Sequence, residues 1–409
     1  MIKSFSRFQR TFTSLKYPNY RRWFAGQMFS LFGTWMQTTA QGFLIFQLTH
    51  SPAYLGYVAF ATGAPTWLFI LYGGVIADRV PRRSLLVLTQ SLFMLLAFIL
   101  AALAFCGAVR PWHILLLAAF TGLITAFDAP ARQSFVLEMV EREDLANAIA
   151  LNSTMFNTAT AVGPAAAGIT YSILGPAWCF LINGLSFLAV IAALLLMRLK
   201  RPRILPGGGS ILAELKEGLS FSLSQPSIRT LIGIVGVTAL FGNSFLTLIP
   251  AWAVRVLGGN AATNGLLQSA RGVGALASAL VVASLSRLKL KGRLLQTGMV
   301  ALPFTVLLFA WMRWTPLSML AAMAAGGAMI LILNDANSLV QLLCPDELRG
   351  RVMGFYTLIF FGLTPIGGLW IGTAAEYLGE PPAVILSALA FLLSALAILI
   401  FTPRIRQLE

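Results

Sequence analysis

Long apolar stretches alternate with short polar connectors along almost the whole chain. Each stretch is close to the roughly 20 residues that an α-helix needs to cross the hydrocarbon core of a membrane. The alternation predicts an all-α membrane protein with twelve transmembrane helices, which we number as segments 1 to 12. Their predicted limits are 23–47, 52–77, 84–107, 111–129, 147–174, 177–198, 228–255, 262–285, 294–312, 316–342, 351–378 and 382–402.

Lys and Arg are concentrated in every second connector. If the N-terminus is cytoplasmic, the inner segments hold 25 of the 29 Lys and Arg residues. The outer loops hold three of them, Arg110, Arg255 and Arg313, and Arg271 lies within a segment. Because cytoplasmic loops of membrane proteins are enriched in Lys and Arg, we expect both termini to be cytoplasmic.

The composition agrees with a multi-pass protein of the cytoplasmic (inner) membrane. The chain is 58% hydrophobic and 11% charged, whereas a soluble protein carries about 25% charged residues. The net charge of +15 follows from the inner loops, so we do not expect a nucleic-acid partner. Residues 1–22 are polar and basic, and we expect segment 1 to remain as a membrane helix rather than to be cleaved as a signal peptide.

The longest connector, 199–227, divides the chain into an N-terminal half, 1–198, and a C-terminal half, 228–409. Its stretch from Ile211 to Leu223 is amphipathic and is expected to lie on the inner membrane surface, in contact with lipid. The halves resemble repeats, since Asp128 in FDAPARQSFV corresponds to Asp335 in LNDANSLV. We therefore expect two pseudo-symmetric halves of six helices each.

The connector from Gly74 to Arg83, GVIADRVPRR, is short and strongly basic. Its pattern Gly-x-x-x-Asp-Arg-x-x-Arg-Arg resembles the loop between helices 2 and 3 of the major facilitator superfamily, a large group of secondary transporters. It differs at Pro81, where that family usually has glycine. Proline also makes a tight turn, but it fixes φ and removes an N–H group.

Further segments resemble the drug and siderophore exporter branch of that superfamily, the enterobactin-exporter-like group. These segments are GTWMQ at 33–37, FDAPARQSFV at 127–136, EREDLANAIALNS at 141–153 and PDELRGRVMGFYTLIFFGLTPIGG at 345–368. AVGPAAAG at 161–168 is similar to the antiporter signature of the superfamily, although Ala159 and Ala167 replace expected glycines.

The resemblance implies an inner gate and a set of hinge positions. Asp78 is expected near the start of segment 11, at Gly350 to Gly354, in the outward-facing state. Arg82 is expected to pair with Asp128, and Asp335 with Lys291 or Arg287. The implied gating residues are Asp78, Arg79, Arg82, Arg83, Asp128, Arg132, Asp335 and Lys291. The implied hinge residues are Gly163, Pro164, Gly168 and Pro365.

Polar residues within segments 1, 4, 7 and 10 are candidates for a substrate site. In segment 1, Gln27, Thr34, Gln37 and Gln41 recur at helical spacing and share one face. Such a face marks either a water-filled cavity or hydrogen bonds between helices. In the family these four segments line the central cavity. The other candidates are Thr125, Asn243, Thr247, Asn334, Asn337 and Ser338.

Arg271 lies close to the middle of segment 8. A charge at this depth is costly and is expected to face the protein interior. It either bonds to backbone carbonyls as a structural group or attracts an anionic group of the substrate. The second alternative predicts an anionic or zwitterionic substrate.

The residues show no phosphate-binding loop, no catalytic triad and no metal-ligand spacing. We therefore expect no enzyme activity, no metal and no cofactor. The resemblance implies an exporter of a small amphipathic organic molecule, a siderophore or a drug, that works by alternating access with proton antiport, as a monomer. A lipid or lysolipid flippase on the same scaffold is the first alternative, and a membrane-embedded enzyme or a non-transporting receptor is the second.

Overall fold

The computed structural model describes residues 12–198, 211–285 and 290–402. These ranges are helical with short connections and contain no strand. Both chain ends, the Pro- and Gly-rich part of the connector and the predicted gate residue Arg287 lie outside the described residues.

Six long helices, joined by short turns, form the first part of the described chain. They are α1 (Pro18–Thr49), α2 (Pro52–Arg79), α3 (Arg82–Phe105), α4 (Pro111–Phe135), α5 (Leu145–Leu174) and α6 (Pro176–Leu195). Proline begins α1, α2, α4 and α6. Its fixed φ fits the first helical turn, where the missing N–H would have no partner within the helix.

The second part begins with the amphipathic helix α7 (Ile211–Ser224), at the position predicted from the sequence. It continues with α8 (Pro226–Val237), α9 (Ala261–Leu285), α10 (Lys291–Trp311), α11 (Thr315–Leu343), α12 (Arg349–Leu378) and α13 (Glu380–Phe401). Gly175 after α5 and Gly379 after α12 have φ values of 91° and 86°. The same glycine turn thus ends the fifth segment of one half and the corresponding segment of the other.

The stretch that follows α8 is irregular. It contains π-helical turns at Thr238–Gly242 and Trp252–Val256, with a 3-10 turn at Ser244–Leu248 between them. The range Pro226–Val256 qualifies as one apolar span, as predicted for 228–255, but its helix is interrupted by these turns. Pro250, which has no N–H, lies within this stretch, and such turns often mark functional positions in helices.

Ten helical spans of the described chain are long and apolar enough to cross a membrane. The helices α1 and α5 are 32 and 30 residues long, but they are not among the ten.

Helix packing follows a matching pattern in the two parts of the chain. In the first part α2 packs on α4, and in the second part α9 packs on α11. Between the parts, α5 packs on α9 and α2 packs on α12. Glycines allow these crossings: a Cβ at Gly265 would lie 2.3 Å from the Pro164 carbonyl oxygen, and a Cβ at Gly63 would lie 1.9 Å from Pro365 Cγ. Close crossings at small residues are typical of membrane helices.

Candidate functional site

A cavity of about 620 Å³ lies between the two parts of the bundle. Its walls come from α1, α2 and α4 on one side, and from the irregular stretch after α8, α9 and α12 on the other. Of the predicted substrate-site residues, the structure places Gln27, Thr34, Gln37, Gln41, Thr125, Asn243 and Thr247 in the lining. The polar face of α1 therefore faces this cavity.

The other predicted substrate-site residues lie outside this lining. Arg271 packs its side chain against Gly326 of α11, where a glycine Cβ would lie 2.9 Å from Arg271 Cγ. Within the described residues it makes no hydrogen bond or ion pair. Gln268, one turn away on α9, faces the cavity instead. Asn334, Asn337 and Ser338 are likewise absent from the lining, because the wall on that side comes from α12 and the irregular stretch.

Seven threonines of the cavity wall donate their hydroxyl hydrogens to the backbone. Each bonds to the carbonyl of the residue four positions earlier, at 2.7–3.0 Å. A hydroxyl that has donated its hydrogen in this way can only accept from a ligand. The threonines concerned are Thr34, Thr38, Thr62, Thr66, Thr121, Thr125 and Thr364.

Three buried side-chain oxygens of the lining have no hydrogen-bond partner among the residues that the structure describes. They are Gln27 Oε1, Gln90 Oε1 and Asn243 Oδ1. The Gln90 orientation is fixed, since its Nε2 donates to Asp128 Oδ1 at 2.8 Å. An unsatisfied buried acceptor costs free energy, so such atoms are expected where a ligand supplies the missing donor.

Asp128 lies at the wall of the cavity on α4 and is 2% exposed. Thr89 Oγ1 and Gln90 Nε2 donate to its Oδ1 at 2.7 and 2.8 Å, and Arg132 Nε lies 3.5 Å from its Oδ2. Asp128 is not a solvated carboxylate at the helix end, because α4 continues to Phe135. Asp128 and Arg132 are the charged residues of the described lining, and they neutralise each other.

The basic loop after α2 has a different pairing from the one implied by the resemblance. Arg82 bonds to Asp78 Oδ1 and to Glu138 Oε1, each at 3.0 Å, so the expected Arg82–Asp128 pair is not formed in this conformation. Arg83 donates to the Leu195 carbonyl at 2.8 Å. No hydrogen bond or ion pair of the Arg79 side chain occurs within the described residues.

Asp335, the counterpart of Asp128 on α11, is 1% exposed. Its Oδ2 has no hydrogen-bond partner in the described part of the chain. The Lys291 ammonium group donates instead to Ser338 Oγ at 2.6 Å. The two aspartates therefore differ: Asp128 is held by three polar side chains, whereas Asp335 has a bare buried oxygen.

Contacts between the two parts of the bundle close the end of the cavity that is predicted to be extracellular. Ser51 Oγ and Ala53 N donate to Glu376 Oε2 at 2.6 and 3.3 Å. Arg255 pairs with Glu380 at 3.0 Å and donates to the His50 carbonyl. These contacts join the turn between α1 and α2 to α12, to α13 and to the end of the irregular stretch.

The opposite end is open. A Cβ placed at Gly74 of α2, or at Gly350 or Gly354 of α12, would meet no atom within 4 Å. The predicted contact of Asp78 with the start of α12 is therefore absent from this conformation. The helices α2 and α12, which touch at Gly63 and Pro365, are therefore apart at this end of the cavity.

Of the predicted hinge residues, Pro164, Gly168 and Pro365 lie where helices of the two parts cross, and Gly163 lies against α1 of its own part. A Cβ at Gly163 would lie 2.7 Å from Trp35 Cβ, and one at Gly168 would lie 2.7 Å from the Ala261 carbonyl oxygen. Pro164 contacts Gly265, and Pro365 contacts Gly63. Their positions agree with pivots between the parts, and their role stays a prediction.

A cluster next to the predicted cytoplasmic surface ties the chain ahead of α1 to the start of α5. Lys16 Nζ lies 2.6 Å from Asp144 Oδ2, and the Tyr17 hydroxyl donates to the same oxygen at 2.7 Å. These two hydrogen bonds lower the pKa of Asp144. The bond to Asp144 raises the pKa of Lys16.

Sequence reasoning missed several lining residues. Gln90 and Asn183 lie on α3 and α6, which carry no polar residues recurring along one face as those of α1 do. Asn183 Nδ2 donates to Gln37 Oε1 at 2.8 Å. Glu138 follows α4 in a short 3-10 turn. Within the described residues, no group of three or more His, Cys, Asp or Glu side chains could hold a metal ion.

The helical bundle, its central cavity and the closed outer end define the class of protein, a membrane transporter. Residues 9–409 match the family of the major facilitator superfamily described as "Transmembrane secretion effector", and the chain belongs to that family.

Among curated proteins, the chain is 25% identical over 393 residues to the multidrug efflux pump Tap of Mycolicibacterium fortuitum, with 92% of this chain and 94% of that protein covered. It is 24% identical over 392 residues to the enterobactin exporter EntS of Salmonella typhimurium, with coverage of 96% and 94%. It is also 25% identical over 264 residues to the staphyloferrin A transporter of Staphylococcus aureus, a match that spans 64% of this chain and 66% of that protein.

Solved structures share the fold at low identity. A POT family transporter in complex with a thioalcohol-conjugated peptide superposes with a TM-score of 0.75 at 13% identity, with 94% of this chain and 96% of that chain covered. An inward-facing bacterial homologue of the lysosomal transporter Spinster gives a TM-score of 0.65 at 16% identity, with 95% of each chain covered.

Proposed function

We propose that the protein is a secondary active exporter of a small amphipathic organic molecule and works by alternating access in the cytoplasmic membrane. The observation that carries this proposal is the cavity between the two parts of the bundle, closed at one end by Glu376 and Arg255 and open at the other. In this proposal α1 and α5 also cross the membrane, which gives twelve spans in two halves of six, with both termini cytoplasmic. The matched packing of the two parts supports this arrangement.

The substrate is recognised through its own hydrogen-bond donors. The described lining carries the three bare acceptor oxygens of Gln27, Gln90 and Asn243 and the acceptor-only threonine hydroxyls. The one cation of the lining, Arg132, is paired with Asp128. A molecule with several hydroxyl, amide or amine hydrogens on an apolar body fits this wall better than one bound through an anionic group. This replaces the earlier hypothesis of an anion bound by Arg271.

Proton coupling is assigned to Asp335. Proton-coupled transport needs a group that exchanges a proton during the cycle, and a buried carboxylate with a free oxygen can do so. Asp128 has its oxygens occupied, whereas Asp335 does not. Lys291, which is bonded to Ser338 in this conformation, is the group that would turn to Asp335 when the proton leaves.

The test uses purified protein in liposomes with an imposed pH gradient. The probes are ethidium, a dye with two aromatic amines, and a 2,3-dihydroxybenzoyl amide, a catechol. We expect gradient-driven accumulation of at least one probe, weaker accumulation of its N- or O-methylated analogue, and recovery of the probe unchanged. Chemical conversion of a probe would indicate an enzyme. Movement of a fluorescent lysophospholipid without movement of either probe would indicate a flippase, and no movement of any compound would contradict the proposal.

Asp335→Asn and Asp128→Asn separate coupling from gating. We expect Asp335→Asn to abolish accumulation driven by the pH gradient and to retain exchange of labelled for unlabelled probe across the membrane. Asp128→Asn should slow both processes. Gradient-driven accumulation by Asp335→Asn at the wild-type level would show that the proton is carried elsewhere.

A further inference from the structure

A second hollow, of about 360 Å³, lies apart from the central cavity. It is a groove between α8 and the first half of α12, and the end of α7 borders it. Its lining residues are Ser222, Leu223, Arg229, Ile232, Gly233, Gly236, Val237, Leu240, Phe355, Ile359 and Leu363.

The groove combines an apolar channel with a single cation. Ser222 donates its hydroxyl hydrogen to the Gly218 carbonyl at 2.6 Å, so it offers no donor to a ligand. Arg229 is exposed, and within the described residues its guanidinium makes no hydrogen bond or ion pair. A ligand that matches this wall has a long apolar chain and one anionic group at its end.

Two glycines create the groove. A Cβ at Gly233 would meet no atom within 4 Å, whereas one at Gly236 would lie 3.1 Å from Leu363 Cδ1 and 3.3 Å from Ile359 Cγ2. Gly236 therefore lets α8 and α12 approach each other at the base, and Gly233 leaves the space above it empty. A side chain at Gly233 would occupy the groove without displacing its walls.

The length of the groove matches one leaflet of a membrane. The rise from Arg229 to Leu240 is about 16 Å at 1.5 Å per residue, and the hydrocarbon core of a bilayer is roughly 30 Å thick, or about 15 Å per leaflet. Arg229 lies in the first turn of α8, which starts at Pro226. The cation is thus at the level of the lipid headgroups and the apolar channel runs from there to the middle of the membrane.

We propose that the groove is a binding site for an anionic phospholipid of the cytoplasmic leaflet, with one acyl chain between α8 and α12 and the phosphate on Arg229. The cytoplasmic leaflet is the one that carries anionic lipids. The assignment of the leaflet rests on the topology proposed above. The site itself does not depend on transport, so its test can fail or succeed whether or not the protein exports either probe.

The test is native mass spectrometry of the delipidated full-length protein with added palmitoyl-oleoyl phosphatidylglycerol or phosphatidylcholine. Arg229→Gln removes the charge and Gly233→Leu fills the channel. Gly74→Leu is the matched control, since it also adds a side chain in open space but on α2, away from the groove. Inorganic phosphate is added as a competitor that has a headgroup charge and no chain.

We expect the wild-type protein to retain phosphatidylglycerol in preference to phosphatidylcholine. Arg229→Gln should weaken phosphatidylglycerol binding about tenfold, the equivalent of 1.4 kcal/mol, with little effect on phosphatidylcholine. Gly233→Leu should weaken both lipids, and Gly74→Leu neither.

Equal binding by Gly233→Leu and Gly74→Leu would refute an acyl chain in the groove. Displacement of the lipid by inorganic phosphate alone would show that binding consists only of an anion contact at Arg229, without an acyl chain in the groove. Equal retention of the two lipids by the wild-type protein would contradict the role of the charge.

Discussion

The unsatisfied oxygen of Gln27 allows the proposed ligand site to be tested without knowledge of the substrate. Gln27 is 3% exposed, and its Oε1 is buried without a hydrogen-bond partner. Gln37 lies on the same helix and lines the same cavity, but its Oε1 accepts from Asn183 Nδ2 at 2.8 Å. The substitution of methionine for glutamine keeps the shape of the side chain and removes the polar atoms at both positions.

The same substitution should have opposite effects at the two positions. An unsatisfied buried polar group costs about 1–3 kcal/mol, so Gln27→Met should stabilise the ligand-free protein by about 1 kcal/mol. Gln37→Met leaves the amide of buried Asn183 with one unpaired N–H and should destabilise the protein by about 1–2 kcal/mol. Because a change of 1 kcal/mol moves the Tm by about 2–4 °C in chains of 150–250 residues, we expect shifts of a degree or two for this longer chain.

The assay is thermal unfolding of the purified protein in one detergent, read by intrinsic tryptophan fluorescence, together with the liposome transport assay. Both variants should transport more slowly, since each removes a polar group from the cavity wall. If Gln27→Met lowers the Tm as much as Gln37→Met does, the oxygen of Gln27 is satisfied in the empty protein. The inference that the cavity offers unsatisfied acceptor oxygens to the hydrogen-bond donors of a ligand would then be refuted.

Three further predictions concern the gate, the surface cluster and the helix crossings. Asp128→Asn should weaken the ion pair with the arginine one turn away, slow transport and leave the protein folded, as judged by size-exclusion chromatography and transport rate. The hydrogen bonds that lower the pKa of Asp144 hold the chain ahead of α1 in place at pH values above about 3.9, the ordinary carboxyl pKa. As the pH falls through the lowered pKa of Asp144 in the folded protein, the carboxylate is protonated and this stabilisation is lost. Limited proteolysis of this segment should therefore accelerate in acid, and Asp144→Asn should make it fast at neutral pH as well. Gly73→Ala should destabilise the protein, since its Cβ would lie 1.9 Å from the Ala126 carbonyl oxygen. Gly74→Ala places its Cβ in open space and should be neutral or stabilise the protein by up to about 1 kcal/mol. Unfolding curves that coincide for these two variants would contradict the described α2–α4 crossing.

The sequence was sufficient to predict the helical class and most of the helix positions. Hydrophobic length and the placement of Lys and Arg carry this information, because a membrane requires apolar helices that satisfy their own backbone. A helix also covers the predicted amphipathic stretch, and its location on the inner membrane surface stays a prediction. The irregular geometry of residues 238–256 was not predicted, since π-turns and 3-10 turns leave no periodic signal in an apolar segment.

Part of the candidate site could be predicted because a run of polar residues on one helical face needs no knowledge of the neighbouring helices. The face of α1 is such a case. The lining by Gln90, Asn183 and Gln268 could not be predicted, because single polar residues acquire a role only through the helices packed around them. Arg271 is a further case, since the side of α9 from which it projects depends on the packing against Gly326.

The conformation also accounts for the gate pairs that differ from expectation. Asp78 and Arg82 are expected to contact α12 and Asp128 when the inner end is closed, and in the described structure that end is open. The inner contacts and the outer contacts of Glu376 and Arg255 are therefore expected to form alternately. This exchange is the central claim of the proposed mechanism.

The most direct test of that claim is the distance between the inner ends of α2 and α12, measured with spin labels on Gly74→Cys and Gly350→Cys. Both positions lie in open space, so the labels fit without strain. The native cysteines Cys106, Cys179 and Cys344 are first replaced by serine. The outer end is then released by Glu376→Gln, which weakens the contacts with Ser51 and Ala53. Alternating access predicts that this variant shows a population with a shorter distance between the two labels. An unchanged distance between the labels would contradict alternating access between the two halves.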